Sequence, residues 1–386
     1  MPMPDIKIRP VAGKADLKTF VDIAYRLNAD VPHWVPPLRS DVYELLNRDK
    51  NPFYEHATMQ LFLAWRGGEP VGRISAHYDH LALEQPAEQG LGPGTGNWGL
   101  MEAADEAVMH ALIAAAEDWL RGEGMTRVIA PISLSVWDEP GLLVKGHDDA
   151  PMVMMGHHNA AYQGWIEAAG YQEAKQLLTY RVPVKDGFPE LINRIVASGE
   201  RSAKITIRPI DMKRYDEEAT LILSILNQAW SANWGFVPIT DREVQYIKGK
   251  LKPAIIPEIN LIAYYEGKPA AFMLCLPDIN EAIAEMDGSL FPFGWAKLLW
   301  RIKRRKWRGG RVPLMGVLPE HQNKRLASQL AFMMIEQIRR YGVEQMGVEK
   351  AEVGWILEDN QGMVAIANAI DSEMNRVYAV YEKAAL

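Results

Sequence analysis

The alternation of apolar and polar residues predicts a series of short strands and amphipathic helices. A short apolar run from Leu314 to Leu318 predicts a buried strand, which Pro319 ends because proline has no N–H to give to a neighbouring strand. A polar loop, Glu320 to Lys324, follows. Beyond it, apolar residues recur at the spacing of one helix face, at Leu326, Leu330, Met333, Met334 and Ile338. A strand, a polar turn and a helix N-terminus favour an anion, because the first helical N–H groups lack partners and the helix dipole is positive there.

The pattern of strands and turns occurs twice along the chain. Residues 6–11 read IKIRPV and residues 205–210 read ITIRPI, 199 positions later. At the same offset, a hairpin pattern with Gly68 and Pro70 matches one with Gly267 and Pro269. Two separate matches at one offset indicate an internal duplication.

Each copy has the order strand, helix, β-hairpin, helix, strand, helix, strand, which predicts a mixed α/β fold with two tandem units. We place the first copy at residues 1–184, a connector at 185–203 and the second copy at 204–386. Residues 291–311 have no counterpart in the first copy and form an insertion. The predicted elements include a strand at 127–136, helices at 105–121, 160–169, 190–197 and 215–230, and strands at 351–357 and 376–382.

Composition restricts the class of protein. The chain has 386 residues, enough for two domains with their own cores, and its net charge of −7 argues against a general nucleic-acid binder. The single cysteine, Cys275, excludes an internal disulfide framework and suits a reducing compartment. The N-terminus has no apolar segment typical of a signal peptide, and no apolar run approaches the length of a spanning helix. We expect a soluble cytoplasmic protein without a metal site, and peripheral contact with the inner membrane stays open.

The strand–turn–helix segment resembles the pyrophosphate-binding motif of the GNAT superfamily of acyl-CoA N-acyltransferases. In that family a strand ending in Val-x-Pro precedes Gln/Arg-x-x-Gly-x-Gly/Ala and a helix, and Val317, Pro319, Gln322 and Ala327 match. The sequence departs from the family at Arg325, where glycine is usual. The resemblance implies acyl-CoA or acetyl-CoA as co-substrate, bound by Val317, Gln322, Asn323, Lys324, Arg325, Leu326 and Ala327.

Three residues are candidates for catalysis. The resemblance implies that Asn360 corresponds to the asparagine that opens the helix after the fifth strand, although asparagine is also a good helix N-cap. Glu352 lies on a strand that should be buried, so a raised pKa would suit a general base, and a salt bridge to a neighbouring strand is the alternative. The tyrosine usual in the family is absent, since Asn368 occupies its position. Tyr378 or Tyr381 on the last strand could substitute, and packing is the alternative for each; Tyr378 is our candidate.

The acceptor site is expected after the first helix of the second copy. Asn227, Trp230 and Trp234 form an aromatic-rich segment that could wall an apolar acyl or lipid pocket, and core packing is the alternative. Asp278, directly after the second hairpin strand, could bind an amine, and turn formation is its alternative. Cys275, within the apolar run AFMLCL, is predicted to be a core residue, since direct transfer needs no covalent nucleophile.

The insertion concentrates basic and aromatic residues. It reads FPFGWAKLLWRIKRRKWRGGR, and tryptophan among dense lysine and arginine is typical of a helix in a membrane interface. We therefore expect contact with a membrane surface through residues 295–311. A clamp for the CoA 3′-phosphate and a solvated helix are the alternatives.

Further segments resemble a bacterial family that includes YghO-type proteins and bacterial ceramide synthases: GLLVKGHDDAPMVMMGHHNAAY, NQAWSANWGFVP and LCLPDIN. The resemblance implies N-acylation of a long-chain, sphingoid-base-like amine by direct transfer, with a small-molecule or lipid acceptor. Two alternatives remain: a Fem-like transferase that uses aminoacyl-tRNA, and a non-catalytic protein that binds CoA or lipid. Acyl length and oligomeric state are left open.

Overall fold

The computed structural model describes residues 5–322 and 324–386. Its first part contains β1 (Ile6–Pro10), α1 (Gly13–Leu27), α2 (Arg39–Leu45), β2 (Ala57–Arg66), β3 (Glu69–Asp79), α3 (His80–Leu83), β4 (Thr95–Ala103), α4 (Glu106–Gly122), β5 (Arg127–Ala130), β6 (Ile132–Ser133), β7 (Glu139–Pro140), β8 (Leu142–Lys145), α5 (Tyr162–Ala168) and β9 (Gln172–Val182).

The second part contains α6 (Glu190–Glu200), β10 (Ile205–Pro209), α7 (Tyr215–Trp230), α8 (Asp241–Leu251), β11 (Asn260–Tyr265), β12 (Lys268–Pro277), α9 (Asn280–Ile283), α10 (Gly294–Arg304), β13 (Gly309–Val317), α11 (Pro319–Gln322), α12 (Arg325–Tyr341), β14 (Lys350–Leu357), α13 (Gln361–Ala369) and β15 (Glu373–Lys383). None of the helices within the described ranges is both long and apolar enough to cross a bilayer.

The duplication is confirmed by the pairing of the strands. Ile6 lies opposite Arg66 in the β1–β2 pair, and Ile205 lies opposite Tyr265 in the β10–β11 pair. Both residues of the second pair lie 199 positions after their counterparts. The two hairpins also share a register shift, after Ala64 in one and after Ala263 in the other. The two copies therefore fold into the same unit with the same local irregularity.

Thirteen of the described strands form one mixed sheet in the order β1-β2-β3-β4-β5-β15-β9-β14-β13-β12-β11-β10, with β8 paired to β15, and β6 and β7 pair separately. The last strand of each copy lies in the other half of this sheet. β15 pairs antiparallel with β5, β9 pairs antiparallel with β14, and β9 and β15 pair with each other at the centre. The boundary near residue 184 marks the end of one sequence repeat and stays a prediction as a domain boundary. β9, which ends just before it, pairs with β14 of the second copy.

Some predicted bounds differ from the structure. The strand predicted at 127–136 ends at Ala130, and the predicted loop at 320–324 contains the helical turn α11. β13 begins at Gly309, five residues before the predicted start, because Gly310 pairs with Pro277 of β12. Two large side chains of the insertion are interior: Trp307 packs in the second core, and Arg311 is 1% exposed. Neither can belong to a membrane-contacting surface.

A polar contact joins the two copies away from the sheet. His56 lies next to β2, and its Nδ1 is 2.8 Å from Asp79 Oδ1 in the first copy. Its Nε2 is 3.2 Å from Glu243 Oε1, in the first turn of α8 in the second copy. Burial disfavours the charged imidazole, but the hydrogen bond to Asp79 and the proximity of the two carboxylates outweigh it and raise the pKa of His56 to about 10.

We expect His56→Gln to weaken this contact in a pH-dependent way. The pKa rises from 6.5 to about 10 on folding, so the stabilisation is complete below pH 6.5 and is lost as the pH approaches 10. The variant should be less stable than the wild type by about 3 kcal/mol at pH 6, the lower range for breaking a buried pair. Urea unfolding between pH 6 and 10 measures the difference, with exposed His80→Gln as the control. A difference that does not shrink with rising pH would contradict the charged pair.

Candidate active site

The candidate site is a cleft that forms where β13 and β14 separate. The two strands pair in parallel from Gly309 to Val312 with Lys350 to Val353, and then diverge. Pro313 has no N–H to continue the pairing. Gly354 has a φ of +148°, and a Cβ there would lie 2.7 Å from the Leu178 carbonyl oxygen. The cleft beyond this point has a volume of about 880 Å³.

The edge of β13 that faces the cleft offers backbone donors. Leu318 N–H donates to the Ala270 carbonyl of β12. Because backbone polar groups point to opposite sides at successive residues of a strand, the N–H and C=O groups of Met315 and Val317 point away from β12 and towards the cleft. Trp230 Nε1 donates to the Met315 carbonyl at 2.9 Å. Gln322 Nε2 donates to the Val317 carbonyl at 2.8 Å. Both carbonyls are thus satisfied, while the N–H groups of these residues face the space that β14 has left.

One mouth of the cleft is the N-terminus of α12. Lys324 occupies the N-cap position without a side-chain hydrogen bond, and its carbonyl accepts from the Ala327 N–H at 3.0 Å. An anion at this helix end would meet the N–H groups of Arg325 and Leu326, which precede the first intrahelical bonds. Of the predicted phosphate-binding residues, Val317, Gln322, Lys324 and Ala327 line the cleft. Arg325 is exposed at the first helical position, and Leu326 packs against the second core. Asn323 lies outside the described residues. The geometry fits an anion held by the helix N-terminus and the Lys324 side chain.

A wall of tryptophans lines the other side of the cleft. Trp230 and Trp234 both border it, as predicted, together with Trp137 of the first copy. Trp137 stacks on Trp230 with ring centroids 5.6 Å apart and an interplanar angle of 20°. Gly235 N–H donates to the Gln89 carbonyl at 2.6 Å, which ties this wall to the first copy. The aromatic wall is therefore built by both copies.

The contribution of the first copy was not predicted. Val136, Pro140, Met154 and Leu177 also line the cleft. They come from the irregular segment after β5 and from β9, which is exchanged into the second half of the sheet. The only signal in the sequence was the glycine and proline content of residues 137–158, which indicates a loop but not where it lies.

Two of the predicted acceptor residues have structural contacts. The side-chain amide of Asn227 both donates to the Ile239 carbonyl and accepts from the Ile239 N–H, at 3.1 Å each. Asp278 Oδ1 accepts from the N–H groups of Val153 and Asn280. Burial, with the nearby charge of Glu281, raises the pKa of Asp278 to about 7. Neither residue is among the described residues that line the cleft.

The predicted catalytic residues are not all brought together. Asn360 lines the cleft and also caps α13, because its Oδ1 accepts from the Met363 N–H. Tyr378 is fully buried, and its hydroxyl donates to the Gly156 carbonyl at 2.9 Å. Burial raises the pKa of this hydroxyl, although Arg376 and Arg311 oppose the shift. Among the described residues, Asn360 is thus the one of the three that borders the cleft.

Glu352 borders a second, apolar cavity of about 50 Å³. This cavity and the main cleft share Val312, Met315, Val353, Met363 and Ile366 as walls. Asn375 Nδ2 donates to Glu352 Oε1 at 2.7 Å, whereas Oε2 has no hydrogen-bond partner among the described residues and is 3.9 Å from Arg376 Nε. Burial raises the pKa of Glu352, against the opposing effects of Arg376, Asn375 and Arg311.

A guanidinium closes the narrow end of the cleft. Arg311 is buried and donates to the carbonyls of Val153 and Met154 from one Nη and to that of Gly354 from the other, each at 2.8 Å. Its Cζ lies 4.7 Å from the centroid of Trp355. Burial lowers the pKa of Arg311 to about 10, so it remains a cation at neutral pH. It fixes the 153–154 segment of the first copy to the point where the strands part.

We expect Glu352→Gln to stabilise the protein at high pH. A carboxyl whose pKa is raised by folding costs stability when it ionises, and this cost is complete above the folded pKa and absent below the unfolded value near 4.5. Glutamine removes the buried charge, and its carbonyl can still accept from Asn375. The gain at pH 8 should be on the order of 1 kcal/mol. Denaturant unfolding at pH 4.5 and 8 measures it, with exposed Glu373→Gln as the control. A loss of stability at pH 8 would show that Glu352 acts as an ion-pair partner of Arg376.

Comparison with known proteins identifies the family. No protein-family model matches the chain. It is 41% identical over 381 residues to a protein named bacterial ceramide synthase from Caulobacter vibrioides (strain NA1000 / CB15N), covering 98% of each chain. It is 38% identical over 378 residues to protein YghO from Escherichia coli (strain K12), covering 97% of this chain and 95% of that protein.

Solved structures agree with the fold. A tandem GNAT protein from the clavulanic acid biosynthesis pathway matches with a TM-score of 0.56 at 13% identity, covering 98% of both chains. A GCN5-related N-acetyltransferase from Sphaerobacter thermophilus matches with a TM-score of 0.52 at 13% identity, covering 99% of this chain and 96% of that one. The chain therefore has the tandem GNAT fold and belongs to the family that contains the bacterial ceramide synthase and protein YghO.

Proposed function

We propose that the protein is an N-acyltransferase that moves an acyl group from a CoA thioester directly to the amine of a long-chain, sphingoid-base-like lipid. The observation that carries the proposal is the cleft between β13 and β14. It has an uncapped helix N-terminus at one mouth, two backbone donors along one edge and an aromatic wall opposite them.

The proposed orientation of the donor follows from the positive helix end at one mouth of the cleft. The pyrophosphate would lie at the N-terminus of α12, where the helix dipole and Lys324 favour negative charge, and Arg325 is exposed beside it. The pantetheine arm carries amide groups that can pair with the edge of a strand. The N–H groups of Met315 and Val317 can donate to these amides. The carbonyls of the same two residues already accept from Trp230 and Gln322.

Transfer follows from the geometry of that edge. The unprotonated amine nitrogen attacks the thioester carbon, and the C=O electron pair moves to oxygen. An N–H group of β13 would stabilise the resulting oxyanion, since a fixed donor in a water-poor cleft costs no reorganisation. Collapse of the intermediate re-forms the C=O bond and breaks the C–S bond. The CoA thiolate leaves and takes up the proton that the amine nitrogen releases.

A covalent acyl-enzyme is not part of the proposal. Cys275 is the only cysteine of the chain, and it is buried in β12 as predicted. Burial raises the pKa of its thiol to about 12, so a nucleophilic thiolate does not form at neutral pH. Its side chain belongs to the second core rather than to the cleft.

The acceptor is proposed from the lining and from the relatives. The wall of Trp137, Trp230 and Trp234, with Met154 and Leu177, is suited to an apolar chain. One relative is named a ceramide synthase, and a ceramide is a long-chain base acylated on nitrogen. The volume of about 880 Å³ lies at the upper end of the usual range for ligand pockets.

Glu352 and Asn360 remain the proposed polar groups of catalysis. Asn360 borders the cleft directly, and Glu352 borders the small cavity that shares a wall with it. A carboxyl with a raised pKa can accept a proton near neutral pH, provided that a water or a side-chain movement connects it to the amine. Tyr378, held by the Gly156 carbonyl, is proposed to position Trp355, whose ring it meets edge-on at 5.7 Å.

We expect Lys324→Ala/Arg325→Ala to weaken the binding of palmitoyl-CoA by about tenfold or more, because each phosphate contact from a charged group contributes at least about 1.5 kcal/mol. Calorimetry on the purified protein measures the dissociation constant. Lys14→Ala/Lys213→Ala removes two exposed lysines elsewhere and serves as the control. If the protein binds acetyl-CoA but not palmitoyl-CoA, the donor is a small acyl thioester and not a long-chain one. If it binds neither thioester, CoA is refuted as the carrier of the acyl group.

We expect Trp230→Phe to lower kcat for amide formation by about tenfold while leaving the donor dissociation constant nearly unchanged. Phenylalanine retains the aromatic wall but loses the hydrogen bond to the Met315 carbonyl, so the strand edge that faces the thioester is held less firmly. The assay follows the N-acyl product from palmitoyl-CoA and sphinganine by mass spectrometry. Failure of the wild type to form that product from bound donor would contradict the proposed reaction.

A further inference from the structure

We propose that α10 and the residues before it dock the protein on an anionic lipid bilayer. Seven large apolar side chains are exposed among the described residues, and five of them lie between 291 and 300: Phe291, Phe293, Trp295, Leu299 and Trp300. The two phenylalanines are 81% and 77% exposed. We call these five side chains, together with Lys303 and Arg304, the α10 face.

The geometry of α10 separates an inner side from this face. Leu298 and Ile302, four residues apart, pack against the second core and anchor the helix. The side turned to solvent carries two stripes at the same spacing. One is Trp295, Leu299 and Lys303, and the other is Ala296, Trp300 and Arg304. Each stripe begins with apolar residues and ends with a cation, which suits a helix lying in the interface of a bilayer.

The charges identify the partner. Residues 291–308 contain seven Lys and Arg and no Asp or Glu, in a chain whose net charge is −7. Four of these cations form salt bridges with glutamates of the protein: Lys297 with Glu285, Arg301 with Glu281, Arg305 with Glu258 and Arg308 with Glu349.

Lys303 and Arg304 form no salt bridge within the part of the chain that the structure describes, and both are exposed. The Arg304 Cζ lies 4.5 Å from the centroid of Trp300, so the free cation stands directly beside an exposed indole. Adjacent apolar and cationic groups complement acyl chains and anionic headgroups. A neutral surface would satisfy only the apolar half of the α10 face.

Docking on a bilayer does not depend on the proposed reaction. It would bring the protein to a surface where long-chain amines and acyl donors reside, but the proposal rests on the composition and exposure of the α10 face alone. A test that measures partition to vesicles, without turnover, therefore keeps the two proposals separate.

The experiment is co-sedimentation of the full chain with vesicles. We expect binding to phosphatidylethanolamine vesicles that contain phosphatidylglycerol, and at least about tenfold weaker binding to vesicles of phosphatidylcholine alone. Lys303→Glu/Arg304→Glu should reduce the binding to anionic vesicles by on the order of tenfold or more. Lys14→Glu/Lys213→Glu changes the net charge equally at other exposed sites and should bind like the wild type.

Two further variants test the apolar half of the α10 face. Trp295→Ala/Trp300→Ala should weaken binding, whereas Leu191→Ala, which removes an exposed leucine elsewhere, should not. Trp295→Phe/Trp300→Phe should still bind but should lose part of the fluorescence quenching that lipids with brominated acyl chains cause. This readout requires insertion into the bilayer and not merely a folded helix. Circular dichroism confirms that each variant is folded.

Three results would overturn the proposal. One is equal binding of the wild type to anionic and neutral vesicles, and another is no binding to either. The third is a dimer in analytical ultracentrifugation that Trp295→Ala/Trp300→Ala dissociates, because the α10 face would then be covered by a second copy of the chain.

Discussion

The antiparallel pair of β9 and β15 at the centre of the sheet connects everything else in the structure. Each strand belongs by sequence to one copy and pairs by its other edge with the opposite copy, β9 with β14 and β15 with β5. Backbone N–H and C=O groups must be paired when they are buried, so removal of either strand would leave two open edges in the interior. The position of β14 depends on β9 in particular, because Ile356 and Leu357 pair with Leu178 and Leu177 after β13 has diverged. The cleft therefore belongs to the whole chain rather than to the second copy.

The two copies differ at the equivalent place. In the first copy β4 and β5 pair in parallel only at Thr95 and Gly96, and the gap beyond is filled by the chain that follows β5. A Cβ at Gly99 would lie 2.2 Å from the Ile132 carbonyl oxygen, and Ser133 Oγ accepts from the Leu100 N–H. No comparable segment fills the gap between β13 and β14 in the described residues. The gap between β4 and β5 in the first copy is thus filled by the protein itself, whereas the equivalent gap between β13 and β14 in the second copy is an open cleft.

Buried charges hold the irregular part of the first copy in place. A guanidinium is costly to bury unless its donors are satisfied, and Arg311 finds the carbonyls of Val153 and Met154. Arg376 donates in the same way to the carbonyls of Gly146, Asp149 and Ala150. A segment without regular secondary structure is thereby fixed against the narrow end of the cleft. Its satisfied carbonyls compensate for the burial of two cations from the second copy.

The sequence by itself determined the repeated unit and most of its elements. The offset of 199 residues shows the repeat by direct comparison of two stretches of sequence. The Pro-terminated strand and the apolar spacing of α12 are local signals, because each depends on backbone geometry within a few residues. The family resemblance assigned Val317, Gln322, Lys324 and Ala327 to a phosphate site and Trp230 and Trp234 to an acceptor site, and the structure places all six along one cleft. The amphipathic helix of the insertion could also be recognised from the sequence, because the spacing of apolar residues determines which of them share a helix face.

Tertiary structure alone decided what completes the site. Nothing local in the sequence shows that β9 and β15 exchange places, because a strand pattern specifies which face is buried and not which strand lies beside it. For the same reason Trp137 and Met154 could not be assigned to the cleft, and Glu352 and Tyr378 could not be placed outside its lining. Trp307 and Arg311 look like surface residues by composition, yet the early start of β13 buries them. Local pattern sets the elements, and the pairing of distant strands determines which side chains meet.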